Sequence, residues 1–177
     1  AYYDADKKAL KVAVGTAGAW QIETVDAAGD AGRYASLALD DQGLEHIAYY
    51  TASTKDLRYA SRAGKGWSIE NAFTAGSVGK FASLGLVPGG WGPVVAFLDE
   101  GAGATMVGWR GVGGWTVKPI DAAVAAGAIS LAVTPAGKVA VAYYDGSQLK
   151  VRSLTCDALS VGAADENCDG VDGVDGD

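Results

Sequence analysis

The chain has 177 residues, 49% of them apolar, with 26 Gly and only 4 Pro. That suffices for one domain with a real core, and no apolar run approaches the roughly 18 residues needed to cross a bilayer as a helix. The formal charge of −7 is confined to the tail: residues 155–177 hold seven acids and no base, and the fourteen acids elsewhere balance fourteen Lys and Arg. A neutral body offers no basic face to phosphates, so nucleic acid is not an expected partner. The acidic tail points to a cation.

Taken in chain order, the elements repeat. The opening Ala1-Tyr2-Tyr3-Asp4 lacks an initiator Met and any charged segment followed by an apolar one, and reads as a processed chain or a fragment. Its AYYD returns as AYYT at Ala48 and AYYD at Ala142, with AFLD at Ala96 displaced by one. LKVAVG at Leu10 returns as LRYASR at Leu57 and LKVRSL at Leu149. Trp20, Trp67 and Trp115 each follow a Gly-rich turn, 47 and then 48 residues apart. SLALDDQG at Ser36, SLGLVPGG at Ser83 and SLAVTPAG at Ser130 are spaced by 47. A fixed period of this length governs the architecture.

Each unit holds four short apolar runs. In the second they are Ala35–Leu39, Glu45–Tyr50, Leu57–Ser61 and Trp67–Glu70, separated by DDQG, TASTKD and AGKG, all turn chemistry. In SLALD, Leu37 and Leu39 share one face, the period of a strand. The expected fold is all-β: a β-propeller of four-stranded blades with a 47-residue repeat over residues 1–154, then an irregular acidic segment over 155–177. The phase gives strands grouped three, four, four and three, or about three and a half blades. Propellers usually close with four to eight, so a fragment of a longer propeller is expected, and two copies pairing into a ring is a second reading.

The tail carries the metal chemistry. Asp165-x-Asn167-x-Asp169-Gly170 opens like a calcium loop, with side-chain oxygens at alternate positions and Gly at the sixth. Val171 offers its carbonyl at the seventh, and Asp172, Asp175 and Asp177 follow as further ligands. The twelfth position is Gly176 instead of a bidentate Glu, and a solvated acidic linker is the alternative. Calcium is the expected ion. Cys156 and Cys168 lie in the same segment and read more readily as a disulfide than as a catalytic pair, which implies an oxidising compartment; two free thiols are the alternative.

ENCDGVDGVDGD resembles the Asp-rich, Cys-containing C-terminal repeats of surface proteins from some Gram-negative bacteria, the MopE-type metal-binding repeats, which are similar to thrombospondin type 3 calcium repeats. The resemblance covers about one repeat, residues 155–177. It implies secretion, to the cell surface or periplasm, a disulfide, and a divalent metal. The pattern SLALDDQGLEHIAYY…LRYA…GW resembles bacterial extracellular propeller repeats of the sialidase-like or lectin-like kind.

Catalysis finds little support. His46 is the only His and falls in a strand, where a hydrogen-bonded structural role is expected. The Asp-box pattern S-x-D-x-G-x-x-W is absent. Glu23 and Glu70 each follow a repeated Trp by three, but Lys118 takes that place in the third copy. A sialidase-like hydrolase is therefore the weakest expectation, and a non-enzymatic binding or adhesion module, with a glycan or a surface protein as partner, the leading one. Aromatics recurring once per unit could stack on sugars: Trp20, Trp67, Trp115, Tyr3, Tyr50 and Tyr144 are the candidates, with packing between sheets as the alternative. Lectin propellers of similar unit length place an Arg and a Glu in each site; here the third-strand basic residues are Lys11, Arg58 and Lys150, with Val107 read at that place in the third unit.

Overall fold

The computed structural model describes residues 1–89, 92–122 and 127–155. Among the described residues, fourteen strands form four open antiparallel sheets, grouped three, four, four and three as the sequence predicted. Sheet I holds β1 (Tyr2–Asp4), β2 (Ala9–Thr16) and β3 (Ala19–Asp26); sheet II holds β4 (Ala31–Leu39), β5 (Glu45–Thr51), β6 (Asp56–Ala63) and β7 (Gly66–Phe73). Sheet III holds β8 (Val78–Val87), β9 (Gly92–Asp99), β10 (Ala104–Gly111) and β11 (Gly114–Asp121); sheet IV holds β12 (Ile129–Val133), β13 (Lys138–Tyr144) and β14 (Leu149–Thr155). Each is a meander in chain order, as short turns dictate. Among the described residues no helix is long and apolar enough to cross a membrane.

The core lies between sheets, in three layers. Leu10, Val12 and Val25 of sheet I meet Ala31, Ile47, Tyr49 and Ala60 of sheet II. Leu57, Tyr59 and Ala72 of sheet II meet Val78, Leu84, Val95 and Phe97 of sheet III. Val94, Ala96, Leu98 and Val107 of sheet III meet Ile129, Val139, Val141 and Tyr143 of sheet IV. Strands β5 and β9 are therefore covered on both faces, which is why IAYY and VVAFL read as continuous runs without alternation. Each buried Val, Leu, Ile or Phe there contributes roughly 1.5–3 kcal/mol.

The strand registers align the sheets residue by residue. Ser36 opposes Ala48, Ser83 opposes Ala96 and Ser130 opposes Ala142. The repeated Ser has a physical role: the amide of Leu84 donates to Ser36 Oγ and that of Leu131 to Ser83 Oγ, both at 2.9 Å, so each hydroxyl ties its sheet to the next.

Strands β4 and β8 begin four or five residues earlier than the alternation suggested. Both are interrupted by register shifts, between Ala31 and Ser36 and between Val78 and Ser83. Gly32 (φ +108°) and Gly79 (φ +101°) make this bend because a Cβ there would sit 2.7 Å from Leu10 Cα and 2.9 Å from Leu57 Cα of the preceding sheet. Two residues on, Tyr34 (φ 53°) and Phe81 (φ 56°) also take the left-handed region, costing about 1–3 kcal/mol each. Ring contact at 4.8 Å between them helps to offset this.

Candidate ligand-binding grooves

Two equivalent clusters stand at successive sheet boundaries. At the first, Glu23 of β3 accepts Trp67 Nε1 at 2.9 Å and Arg62 Nη1 at 3.0 and 3.2 Å. Arg62 also gives Nε and Nη2 to the two oxygens of Glu45, at 2.9 and 3.0 Å. Its guanidinium lies 3.9 Å from the centre of the Trp67 ring, a cation–π stack. At the second boundary, Glu70 of β7 accepts Trp115 Nε1 at 2.9 Å and Arg110 Nε and Nη2 at 2.5 and 3.3 Å.

The sequence places these groups by strand register. Arg62 opposes Trp67 across the β6–β7 hairpin, and Arg110 opposes Trp115 across β10–β11. Glu follows Trp by three, so in β3 and β7 it projects from the opposite face of its strand, toward the next sheet. Glu thus receives the next unit's Trp and not its own.

The electrostatics follow. Arg62 holds the Glu45 carboxyl below its ordinary range and is itself pushed up, first by Glu45. Burial acts to raise the Glu70 carboxyl, but the Arg110 and Trp115 hydrogen bonds outweigh it and leave it lowered. Behind the second cluster, Tyr59 packs edge-on against Trp115 at 5.3 Å, and burial pushes its hydroxyl up to about 12. Tyr59 OH meets His46 Nδ1, and His46 Nε2 lies 3.4 Å from Asp40, so the single His is held on both nitrogens. Asp40 in turn caps its own turn through the amides of Gln42 and Leu44.

The remaining aromatic candidates do not converge on these clusters. Trp20 sits in β3 at 60% exposure, opposite Gly15 where the other hairpins carry Arg. Tyr3 donates to Asp30 at 2.5 Å beneath the Arg33 guanidinium. Tyr50 is buried beside Tyr34, with Lys80 Nζ 5.8 Å from its ring centre. Tyr144 is exposed on β13. Asp165, Asn167, Asp169, Val171, Asp172, Asp175, Asp177, Cys156 and Cys168 lie outside the described residues. Among the described residues, no group of three or more His, Cys, Asp or Glu could hold a metal ion.

The third-strand basic position needs one correction. Register aligns Lys11, Arg58 and Lys150 with Met106, not Val107, because Met106 opposes Phe97 as Arg58 opposes Tyr49. These residues form a second repeated contact, and it comes in two forms. Arg58 Nη1 and Tyr49 OH both donate to Asp26, at 3.0 and 2.8 Å; Lys150 Nζ and Tyr143 OH both donate to Asp121, at 2.9 and 2.6 Å. Between sheets II and III all three are apolar: Phe73 stands in the Asp place, Phe97 in the Tyr place and Met106 in the basic place. Phe73 and Phe97 pack with ring centres 6.1 Å apart.

Sequence reasoning named Trp67, Trp115, Glu23 and Glu70, but missed Arg62, Arg110 and Glu45. The signal was present: Arg precedes Trp by five in both units.

Among the described residues, fold and site together define an all-β protein of four antiparallel sheets, with an arginine–carboxylate–indole cluster between sheets I and II and another between sheets II and III. A scan against protein-family models and a search of curated proteins return no match.

Proposed function

We propose that the chain forms β-propeller blades, exported from the cell and used for binding or adhesion, not catalysis, with a calcium-binding acidic segment over residues 155–177. Equivalent positions tie more than one pair of successive sheets: the Ser36 and Ser83 hydroxyls join sheets II–III and III–IV, and the Gly32 and Gly79 approaches and the Glu23 and Glu70 clusters join sheets I–II and II–III. That is the expectation for radially repeated blades. The 47-residue period supports the same reading.

One observation favours carbohydrate as the partner. The Arg110–Glu70 pair stands at the surface, with side chains 45% and 35% exposed, beside the half-buried Trp115. Arg110 uses Nε and Nη2 on Glu70, leaving Nη1 without a partner among the described residues. A neutral ion pair that still offers donors and acceptors beside an indole suits vicinal hydroxyls better than an anion. An anion would have to compete with Glu70 for the guanidinium.

Calcium rests on the D-x-N-x-D-G spacing of Asp165, Asn167 and Asp169. Binding of the protein to a broad panel of immobilised glycans tests the carbohydrate reading, and silence across the panel would remove it. Turnover of an aryl sialoside would replace the binding reading with a hydrolytic one.

A further inference from the structure

The two arginine clusters share a plan but differ at one strand position. Glu45 opposes Leu39 at the start of β5; Pro93 opposes Leu86 at the matching place in β9. Arg62 consequently meets two carboxylates and Arg110, among the described residues, one. Glu45 takes the Nε–Nη2 edge of Arg62 in a parallel two-bond fork, while Glu23 takes Nη1. The Arg62 side chain is 13% exposed, that of Arg110 45%.

We propose that Glu45 is a built-in occupant of the first cluster: with Glu45 on Nε and Nη2 and Glu23 on Nη1, every guanidinium nitrogen of Arg62 is engaged, whereas Arg110 keeps Nη1 free among the described residues, so only the cluster at Arg110 takes a ligand. As to the ligand, this rests on the carbohydrate reading given above. The physical reason is competition. A charge-assisted bidentate bond is about twice as strong as a neutral one, and Glu45 is tethered beside its partner, so a neutral hydroxyl arriving from solution cannot displace it. Pro93 brings no carboxylate, so Glu70 serves Arg110 alone, on Nε and Nη2, and Nη1 has no partner among the described residues. Glu45 is thus the residue that determines which groove is competent.

The test compares the wild-type chain with Glu45→Ala and the reciprocal Pro93→Glu. Phenylglyoxal modifies accessible guanidinium groups, and peptide mass spectrometry gives the rate at each Arg. Arg110 is expected to react faster than Arg62 in the wild type, by about tenfold, the ratio that one charge-assisted bond represents. In Glu45→Ala the Arg62 rate rises toward that of Arg110; in Pro93→Glu the Arg110 rate falls. Equal wild-type rates, or an unchanged Arg62 rate in Glu45→Ala, overturn the proposal. Where Glu45→Ala fails to fold, Pro93→Glu decides, and an unchanged Arg110 rate there overturns it. In a second measurement, titration with the glycan that scores highest on the panel should give one site in the wild type and two in Glu45→Ala. Silence from every glycan would sink the carbohydrate reading alone, because the modification rates judge the Glu45 closure without any ligand.

Discussion

Phe73 offers the sharpest test of how the sheets are joined. In Phe73→Asp, a carboxylate replaces a ring that packs 6.1 Å from Phe97, beside Met106; Phe97 is fully buried and Met106 nearly so. At the other two boundaries the equivalent Asp26 and Asp121 receive a tyrosine hydroxyl and a cationic side chain. Here neither donor exists, so the new charge at this half-buried site is unpaired and partly desolvated, which costs up to about 3–5 kcal/mol, the figure for a fully buried unpaired charge. In a chain of this size that lowers the melting temperature by about 2–4 °C per kcal/mol, or up to roughly 10 °C in all. The triple variant Phe73→Asp, Phe97→Tyr, Met106→Arg restores the polar set found at Asp26. Exchange of a complete buried ion pair for apolar groups of similar volume is often near neutral, so the triple variant should return to within about 2 kcal/mol of the wild type. Urea denaturation of the wild type, each single variant and the triple gives the coupling directly. A triple variant no more stable than Phe73→Asp would refute the claim that the three positions act as one unit.

Three further outcomes are expected. Ser83→Ala removes the acceptor of the Leu131 amide and should cost about 1–2 kcal/mol in urea denaturation; a change below a few tenths would mean that the Ser ties are incidental. Because Arg62 depresses the folded-state pKa of Glu45, the stability this gives is present above the unfolded value of about 4.3 and is lost as pH falls through the folded value. Glu45→Gln should therefore melt below the wild type at pH 7, with the gap narrowing in acid; a pH-independent gap contradicts this. Calorimetry with Ca²⁺ should show binding that disappears in Asp165→Ala/Asp169→Ala, and unchanged binding there removes the D-x-N-x-D-G assignment.

Much of the fold was legible because turn residues punctuate the chain between most strands and the repeated Trp marks the β2–β3, β6–β7 and β10–β11 hairpins. Grouping of the strands followed from phase alone. The early parts of β4 and β8 were not legible, because Gly32, Tyr34, Gly79 and Phe81 take the left-handed region and make a bulged strand look like a turn. The basic position of the third unit was misplaced at Val107, 49 residues after Arg58; the repeat slips by one between these units, which puts the equivalent 48 residues on, and register shows that Met106 opposes Phe97. The grooves were half legible. Trp and Glu stood out by recurrence, but their pairing crosses from one sheet to the next, over 44 residues for Glu23–Trp67 and 45 for Glu70–Trp115, and sequence period alone cannot reveal that. The triad swap at Phe73, Phe97 and Met106 was invisible for the same reason, since its members come from three strands.

The proposal that this is a binding protein acting through the Arg110 cluster is tested most directly by glycan binding to the wild type and to Arg110→Ala. A neutral glycan should bind the wild type and lose at least about tenfold in affinity in Arg110→Ala, the worth of one bond to a charged group, while urea denaturation shows Arg110→Ala still folded. Binding that is unchanged in Arg110→Ala, or absent from the wild type across the panel, would contradict it.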